Sequence, residues 1–109
     1  MVEIFHRTPY SSSVTFEEEA KIDKKDYQLV ARMNVGTVGD AWNLSQNGIR
    51  EWIRIKEVEP LVDVPSCRST SISDVFALNG KLHLVMMDGY KSIEWGDVAD
   101  FTEAFKRKI

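Results

Sequence analysis

Cysteine is almost absent from this sequence, which excludes a fold held together by internal disulfide bonds. The chain has 109 residues and one cysteine, Cys67, so no disulfide can form within it. Disulfide frameworks are typical of secreted domains, whereas reducing compartments keep thiols free. We therefore expect a cytoplasmic protein.

Long hydrophobic runs and an excess of one charge are also missing. No apolar run approaches the roughly 20 residues that a membrane helix requires, and residues 1–13 lack the apolar stretch of a signal peptide. The 14 basic and 17 acidic residues give a net charge of −3, without the basic patch that phosphate binding favours. We expect no membrane association, and nucleic-acid binding is an alternative that is not favoured.

Recognised catalytic and metal-binding motifs are missing as well. The two histidines, His6 and His83, and the single cysteine form neither a Cys-x-x-Cys nor a His-Glu-x-x-His spacing, the patterns that bring zinc ligands together. Residues 35–40 contain two glycines, but the lysine of a phosphate-binding loop does not follow them. Cys67 lies beside Arg68, which favours the thiolate, yet neither histidine is near it in sequence. We predict no metal, no cofactor and no catalytic residue, so a binding role is favoured over enzyme activity.

Alternating and turn-forming residues predict an antiparallel sheet. Residues 2–6 and 27–35 are predicted strands, and in the second the odd-numbered residues are all apolar and fall on one face. Asn-Gly at 79–80 and Asp-Gly at 88–89 are hairpin signals, because both central residues of a type I′ turn need positive φ. These turns join three predicted strands into a meander: 74–78, 81–87 and 90–95.

Helices are predicted on either side of these strands. Residues 15–22 begin with a capping-box spacing, and residues 38–47 follow the capping residue Thr37. Asp97 is expected to cap a C-terminal helix whose buried stripe is Val98, Phe101, Phe105 and Ile109. The sequence therefore predicts a single α+β domain over 1–109, with an antiparallel sheet of four or five strands, including the C-terminal three-stranded meander, covered by two or three helices.

The most distinctive segment is a run of polar and small residues that leads into a strand. Ser71 and Asp74 have capping-box spacing, and Arg68 is placed to pair with Asp74. Such a run either satisfies its own backbone as a polar corner or presents Arg68 and its hydroxyl groups to a partner. The sequence leaves both interpretations open.

The region before it has the composition of an interface. Trp42 and Trp52 flank an irregular stretch in which Arg50 and Arg54 surround the second tryptophan, although most tryptophans belong to a core. Together the two regions give the candidate partner-binding residues Trp42, Arg50, Trp52, Arg54, Arg68, Ser69, Thr70, Ser71 and Asp74.

The segment that follows Cys67 resembles a group of small proteins of bacteriophages, plasmids and integrated elements. Arg68-Ser69-Thr70-Ser71-Ile72-Ser73-Asp74-Val75, with Gly80, Leu84-Val85, Gly89-Tyr90 and Ile93 after it, is similar to the YodL-like proteins and to relatives with an RSTSxGDV-type signature. Residues 27–33, residues 41–47 and Trp52 fall in the order of their strand, Asn-rich helix end and isolated tryptophan. The resemblance covers about residues 27–95. Ser73 departs from the signature, in which glycine is usual, although the YodL-like form allows serine.

This resemblance implies a setting and no established activity. It implies an accessory protein of a phage or mobile element that acts in the host cytoplasm, where it binds and inhibits a host protein such as a defence nuclease or a polymerase. One alternative is a small nucleic-acid-binding domain that uses Arg50, Arg54, Lys56 and Arg68. Another is an ADP-ribosyltransferase relative, since Phe5-His6-Arg7-Thr8 resembles the histidine-containing strand of that family. Glu94 is the only candidate for the catalytic glutamate that the family would require.

Overall fold

A six-stranded antiparallel sheet dominates the fold in a computed structural model that describes residues 1–8 and 19–100. The strands are β1 (Val2–Arg7), β2 (Glu19–Lys21), β3 (Tyr27–Met33), β4 (Val58–Pro60), β5 (Val75–Leu78), β6 (Lys81–Met86), β7 (Gly89–Ile93) and β8 (Val98–Asp100). The helical elements are α1 (Val38–Leu44) and the short 3₁₀ helices Lys24–Asp26 and Trp52–Arg54. The large sheet has the order β4-β3-β1-β5-β6-β7, and β2 pairs with β8. The α+β class is confirmed, with more sheet and less helix than we predicted.

The predicted meander is confirmed in β5, β6 and β7. Its first turn places Asn79 at φ 53° and Gly80 at φ 78°, as a type I′ turn requires. The second turn lies one residue earlier than predicted, because Met86 pairs with Gly89 and leaves Met87 and Asp88 as the loop.

The predicted one-sided pattern of the second strand is wrong, because a bulge interrupts β3. Ile4 pairs with Ala31 and Phe5 with Leu29, which leaves Val30 without a partner on β1. An extra residue in one strand changes which side chains share a face. Tyr27 therefore packs in a different core cluster from Ala31.

Each face of the large sheet carries a cluster of buried core residues. Helix α1 and the 3₁₀ helix at Trp52 cover one face, where Ile4 and Phe76 are fully buried. On the other face, Val75 and Leu84 pack with Ile22 and Ala99 from the region of the β2–β8 pair. A small sheet thus covers the face that a helix was expected to cover.

The predicted helices differ from the structure at three places. Helix α1 ends at Leu44 and not at residue 47, since the Ser45 carbonyl accepts a hydrogen bond from the Thr70 N–H, 2.9 Å away. In the predicted helix 15–22, residues 19–21 form β2 and residues 15–18 lie outside the described residues.

The predicted C-terminal helix is wrong where it can be compared. Val98–Asp100 pairs with Glu19–Lys21 as a strand, and residues 101–109 lie outside the described residues. Asp97 caps a turn, since its carboxylate accepts a hydrogen bond from the Glu94 N–H, 2.9 Å away.

Within residues 1–8 and 19–100, no helix is long and apolar enough to cross a membrane. The described helical elements have seven residues or fewer.

Candidate functional site

The polar segment after Cys67 folds against β1 at one end of the large sheet. We call His6, Cys67, Arg68, Thr70 and Asp74 the corner cluster. Asp74 is fully buried, and its carboxylate accepts hydrogen bonds from Arg68 Nη1 at 2.6 Å and Nη2 at 2.8 Å. The predicted Arg68–Asp74 pair is confirmed, as a two-pronged contact of the kind that fixes geometry as well as charge.

The same carboxylate also collects two backbone donors. The N–H groups of Arg7 and Ser71 each lie 2.8 Å from its oxygens. Arg68 in turn donates to the Arg7 carbonyl at 3.0 Å. Asp74 therefore joins β1, the polar segment and the start of β5 through one buried group.

A tight turn precedes Asp74. The Asp74 N–H donates to the Ser71 carbonyl at 3.1 Å, and Ser73 has φ 78°, in the left-handed region that disfavours side chains. Ser71 and Asp74 thus close a turn in place of the expected helical start. The strained residue is Ser73, the position at which the resembling signature has glycine.

Hydrogen bonds to the backbone of Ser73 hold this turn in place. Its N–H donates to the Val85 carbonyl at 2.9 Å, and its carbonyl accepts from the Tyr27 hydroxyl at 2.7 Å. Burial raises the pKa of Tyr27 to about 12, so the hydroxyl keeps the proton that it donates.

The fold brings the single cysteine to a histidine that lies far from it in sequence. His6 Nδ1 is 3.6 Å from Cys67 Sγ, and His6 Nε2 is 2.9 Å from Thr70 Oγ1 and 3.9 Å from Asp74 Oδ2. The imidazole also packs against Trp52, with ring centroids 5.6 Å apart. A thiol, an imidazole and a carboxylate therefore meet here, as they do in cysteine-dependent active sites.

The electrostatics of this group oppose nucleophilic chemistry. Burial lowers the pKa of His6 to about 4, and burial raises the pKa of the Cys67 thiol. A reactive cysteine needs its thiolate form, and both shifts favour the neutral thiol and the neutral imidazole. His6 is also only 5% exposed, so the arrangement is suited to packing and hydrogen bonding.

The corner cluster supports the loop that follows α1. Asn47 donates from its N–H to Ser69 Oγ at 2.7 Å and from its side-chain amide to the Cys67 carbonyl at 2.9 Å. Its side-chain oxygen accepts from the Trp52 N–H at 3.0 Å. The Trp52 indole N–H donates to the Arg68 carbonyl at 2.7 Å. Both ends of the 47–51 loop are therefore fixed to the polar segment.

The apex of this loop faces solvent. Ile49 has a relative exposure of 106%, and Arg50 and Glu51 are also exposed. The Gly48 N–H donates to the Arg50 carbonyl at 3.2 Å, which closes the chain around Ile49. The loop is thus a braced turn with an apolar tip.

Trp42 lies apart from this loop and lines a cleft of about 220 Å³. It is half-buried on α1. The other walls come from the β6–β7 hairpin and include Met86, Met87 and Tyr90. The cleft is smaller than the roughly 300 to 1,000 Å³ typical of small-molecule sites, and its aromatic and methionine lining is typical of protein contacts.

Larger clefts lie on the opposite face of the sheet, around Trp95. Two of them, of about 510 and 450 Å³, share Gly80, Leu82 and Trp95 as walls. Trp95 packs edge-on against Phe5, with ring centroids 5.5 Å apart. None of the candidate binding residues lines either cleft.

The structure separates the candidate residues into an internal and an external set. Trp52, Thr70 and Asp74 are buried. Arg68 and Ser71 are exposed but bond to Asp74, and the half-buried Ser69 bonds to Asn47. Arg50 is at the loop apex, and Arg54 donates to the carbonyls of Val64 at 3.1 Å and Pro65 at 3.0 Å.

Two residues of the 47–51 loop, Asn47 and Ile49, are not among the candidates that the sequence indicates. Asn47 is the last residue of the predicted helix 38–47, and Ile49 falls in the irregular stretch between Trp42 and Trp52. An Asn-Gly pair followed by a lone isoleucine between polar residues was the available signal for both.

Comparison with protein-family models, with curated proteins and with solved structures found no match to this chain.

Proposed function

We propose that this chain is a non-enzymatic accessory protein of a phage or mobile element that binds a host protein and inhibits it, the target being an enzyme such as a defence nuclease or a polymerase. The genomic setting in this proposal rests on the sequence resemblance. The binding role rests on the site. In this proposal the protein acts in the host cytoplasm.

The observation that carries the binding role is the direction in which the reactive groups point. His6 and Asp74 are buried and meet the half-buried Cys67, and burial favours the neutral forms of His6 and Cys67. The residue types that dominate protein interfaces, tryptophan, tyrosine, methionine and arginine, are at the surface in the Trp42 cleft and at Arg50. Chemistry is therefore disfavoured and contact with a partner is favoured.

The two alternatives have weaker support. Of the four basic residues considered for phosphate contacts, Arg54 and Arg68 direct their guanidinium groups to protein oxygens. An ADP-ribosyltransferase would need His6 to reach a nucleotide, and the buried imidazole is already bonded to Thr70.

Affinity capture from cells that naturally carry the gene tests the proposal. The tagged chain should retain one protein that is retained less by Trp42→Ala and Arg50→Glu and equally by Lys25→Glu, an exposed control near β3. The captured protein, once purified, should lose activity when the wild-type chain is added. Repeated capture of no protein, or turnover of a substrate by the chain itself, would refute the proposal.

A further inference from the structure

Strands β4 and β7 form the two edges of the large sheet. An edge strand leaves backbone N–H and C=O groups unpaired, and proteins usually protect it. β4 is protected because it is only three residues long and ends at Pro60, which has no N–H to donate. β7 is longer, and its first four residues are exposed. No strand in the described part of the chain lies on its outer side.

The hydrogen bonds of β6 show which backbone groups of β7 face outward. The Val85 N–H donates to the Asp74 carbonyl and the Val85 carbonyl accepts from the Ser73 N–H, each at 2.9 Å. Val85 therefore bonds towards β5, and its cross-strand partner Tyr90 directs its N–H and C=O away from β6, since bonding alternates along an antiparallel pair. Ser92 lies two residues further along and does the same. Both residues thus offer a donor and an acceptor to an extended chain.

A cleft beside this edge is suited to one side chain of an added strand. Paired residues have their side chains on the same face of a sheet, so a residue opposite Tyr90 would lie on the face that α1 covers. The Trp42 cleft is on that face, has a volume of about 220 Å³ and includes Gly89 and Tyr90 in its walls. Its aromatic and methionine lining favours a large apolar side chain. Main-chain hydrogen bonds together with a side-chain pocket are the means by which strand addition achieves affinity and specificity.

Charge at this edge disfavours a second copy of the chain as the added strand. Lys91 is the only charged residue of β7, is exposed, and pairs with Leu84 on the opposite face from Tyr90. Two β7 strands paired about a two-fold axis place their Lys91 side chains opposite or diagonal to each other in every register that pairs three or more residues. These positions are about 5 to 8 Å apart, where like charges repel.

The same charges define the segment that does fit. A carboxylate opposite Lys91 is favoured, because opposite charges stabilise a cross-strand pair. The exposed acids Asp88 and Glu94 flank the strand and disfavour further acids at the two ends of the segment. Because residues opposite Tyr90 and Lys91 are neighbours in sequence, the acidic residue comes directly before or after the apolar one.

We propose that β7 binds an extended segment of a partner protein as a seventh strand of the large sheet, with a large apolar side chain in the Trp42 cleft and a carboxylate opposite Lys91. This inference rests on the proposed binding function and names the surface and the kind of segment that it recognises.

Hydrogen exchange of the ¹⁵N-labelled full chain tests the open edge without a partner. The amides of Tyr90 and Ser92 should exchange at least tenfold faster than the amide of Lys91, which bonds to β6, and the rates should not change with protein concentration. Slow exchange at residues 90 and 92 would mean that another part of the chain covers the edge. Protection that grows with concentration would mean that a second copy covers it. Either result would overturn the inference.

Selection from a displayed library of random dodecapeptides tests the segment. The selected peptides should share an acidic residue directly beside a large apolar one. The tightest peptide should slow the exchange of the Tyr90 and Ser92 amides, and leave that of Glu59 on the other edge unchanged. Peptides without this pair of residues, or peptides that leave the exchange of the β7 amides unchanged, would contradict the proposal.

Two sets of variants test the contacts with that peptide. Ser92→Pro removes an outward N–H and should weaken binding at least tenfold, whereas Ser92→Ala keeps the N–H and should leave the Kd within about twofold. Circular dichroism checks that both are folded. Lys91→Glu, at an exposed side chain, should weaken binding several-fold, and a peptide with lysine in place of its acidic residue should bind this variant better than the wild type. Equal affinities within both sets would overturn the inference.

The partner captured in the test of the proposed function separates the two claims. Its binding should be lost in Ser92→Pro and kept in Ser92→Ala. If it is inhibited as proposed but binds Ser92→Pro as tightly as the wild type, the proposed function stands and the docking edge is wrong. If peptides bind β7 but no partner is captured from the cells, the edge is a peptide-binding site and the proposed function is wrong.

Discussion

The polar segment 67–74 and the 47–51 loop lie side by side but differ in burial: Thr70, Ser73 and Asp74 are buried in the segment, although Arg68 and Ser71 are exposed, whereas residues 47–51 are all exposed. Asp74 and Thr70 are almost completely buried and bonded to residues far away in sequence. Ile49 and Arg50 face solvent on a backbone that the first segment holds. In sequence the first region has the more conspicuous motif, whereas in the structure only the second is exposed throughout. A polar run can therefore have a structural role. The number of hydrogen bonds that its side chains make within the protein distinguishes that role from a binding role.

The largest expected effect on stability is that of Trp52→Ala, because Trp52 bonds to both the 47–51 loop and the polar segment. Trp52 is 1% exposed and bonds to the Arg68 carbonyl, so its removal leaves a cavity and an unpaired acceptor. We expect a loss of about 4 kcal/mol in the free energy of unfolding, measured by urea denaturation. Trp42→Ala, on the half-buried tryptophan of α1, is the control and should cost clearly less. Equal losses would mean that the two tryptophans do not differ as described.

The buried His6 should make the unfolding free energy depend on pH. Its pKa is about 4 in the folded state and 6.5 when exposed, so the unfolded chain binds more protons in this interval. Stability therefore falls as pH decreases from 6.5 towards 4, by about 3 kcal/mol from this group. Denaturation curves from pH 7 to 4 should show this loss in the wild type but not in His6→Gln. Parallel pH dependences in the two proteins would contradict the buried, neutral imidazole.

The strained turn predicts a substitution that stabilises the protein. Ser73 has φ 78°, a conformation that costs a residue with a side chain roughly 1 to 2 kcal/mol, part of which glycine would recover. We expect Ser73→Gly to raise the unfolding free energy by about 1 kcal/mol. Asn79→Gly is the matched control, because asparagine tolerates its φ of 53° and the gain should be smaller. Destabilisation by Ser73→Gly would argue against strain at this turn.

The apex of the 47–51 loop should contribute almost nothing to stability. Arg50 is exposed, and surface substitutions usually change stability by less than about 0.5 kcal/mol. Arg50→Ala should therefore leave the urea midpoint unchanged, in contrast to Trp52→Ala. A large loss at Arg50 would place it in the scaffold with the polar segment.

Features set by neighbouring residues could be predicted from the sequence. The Asn79-Gly80 turn and the meander around it follow from local turn chemistry. The Arg68–Asp74 pair follows from a spacing of six residues. The sequence does not decide between this role and a recognition surface, because it does not show that Asp74 is buried.

Features that depend on contacts between residues distant in sequence could not be predicted. His6 and Cys67 are 61 positions apart, and they meet because β5 pairs with β1 and the residues before β5 bond to the end of β1. Val98–Asp100 has the residues of a helix start, but pairing with Glu19–Lys21 makes it a strand. The bulge at Val30 likewise depends on the register of β1, which alternation within β3 does not contain.

The central claim is that the polar segment holds the fold and the loop, and Asp74 is where this can be tested most directly. Urea unfolding of Asp74→Ala should show a loss of about 3 kcal/mol, because Arg68 and two backbone N–H groups lose their shared acceptor. Asp63→Ala, at an exposed carboxylate, should change stability by less than about 0.5 kcal/mol. If the two variants unfold at the same urea concentration as the wild type, the segment is not scaffolding and the account is wrong.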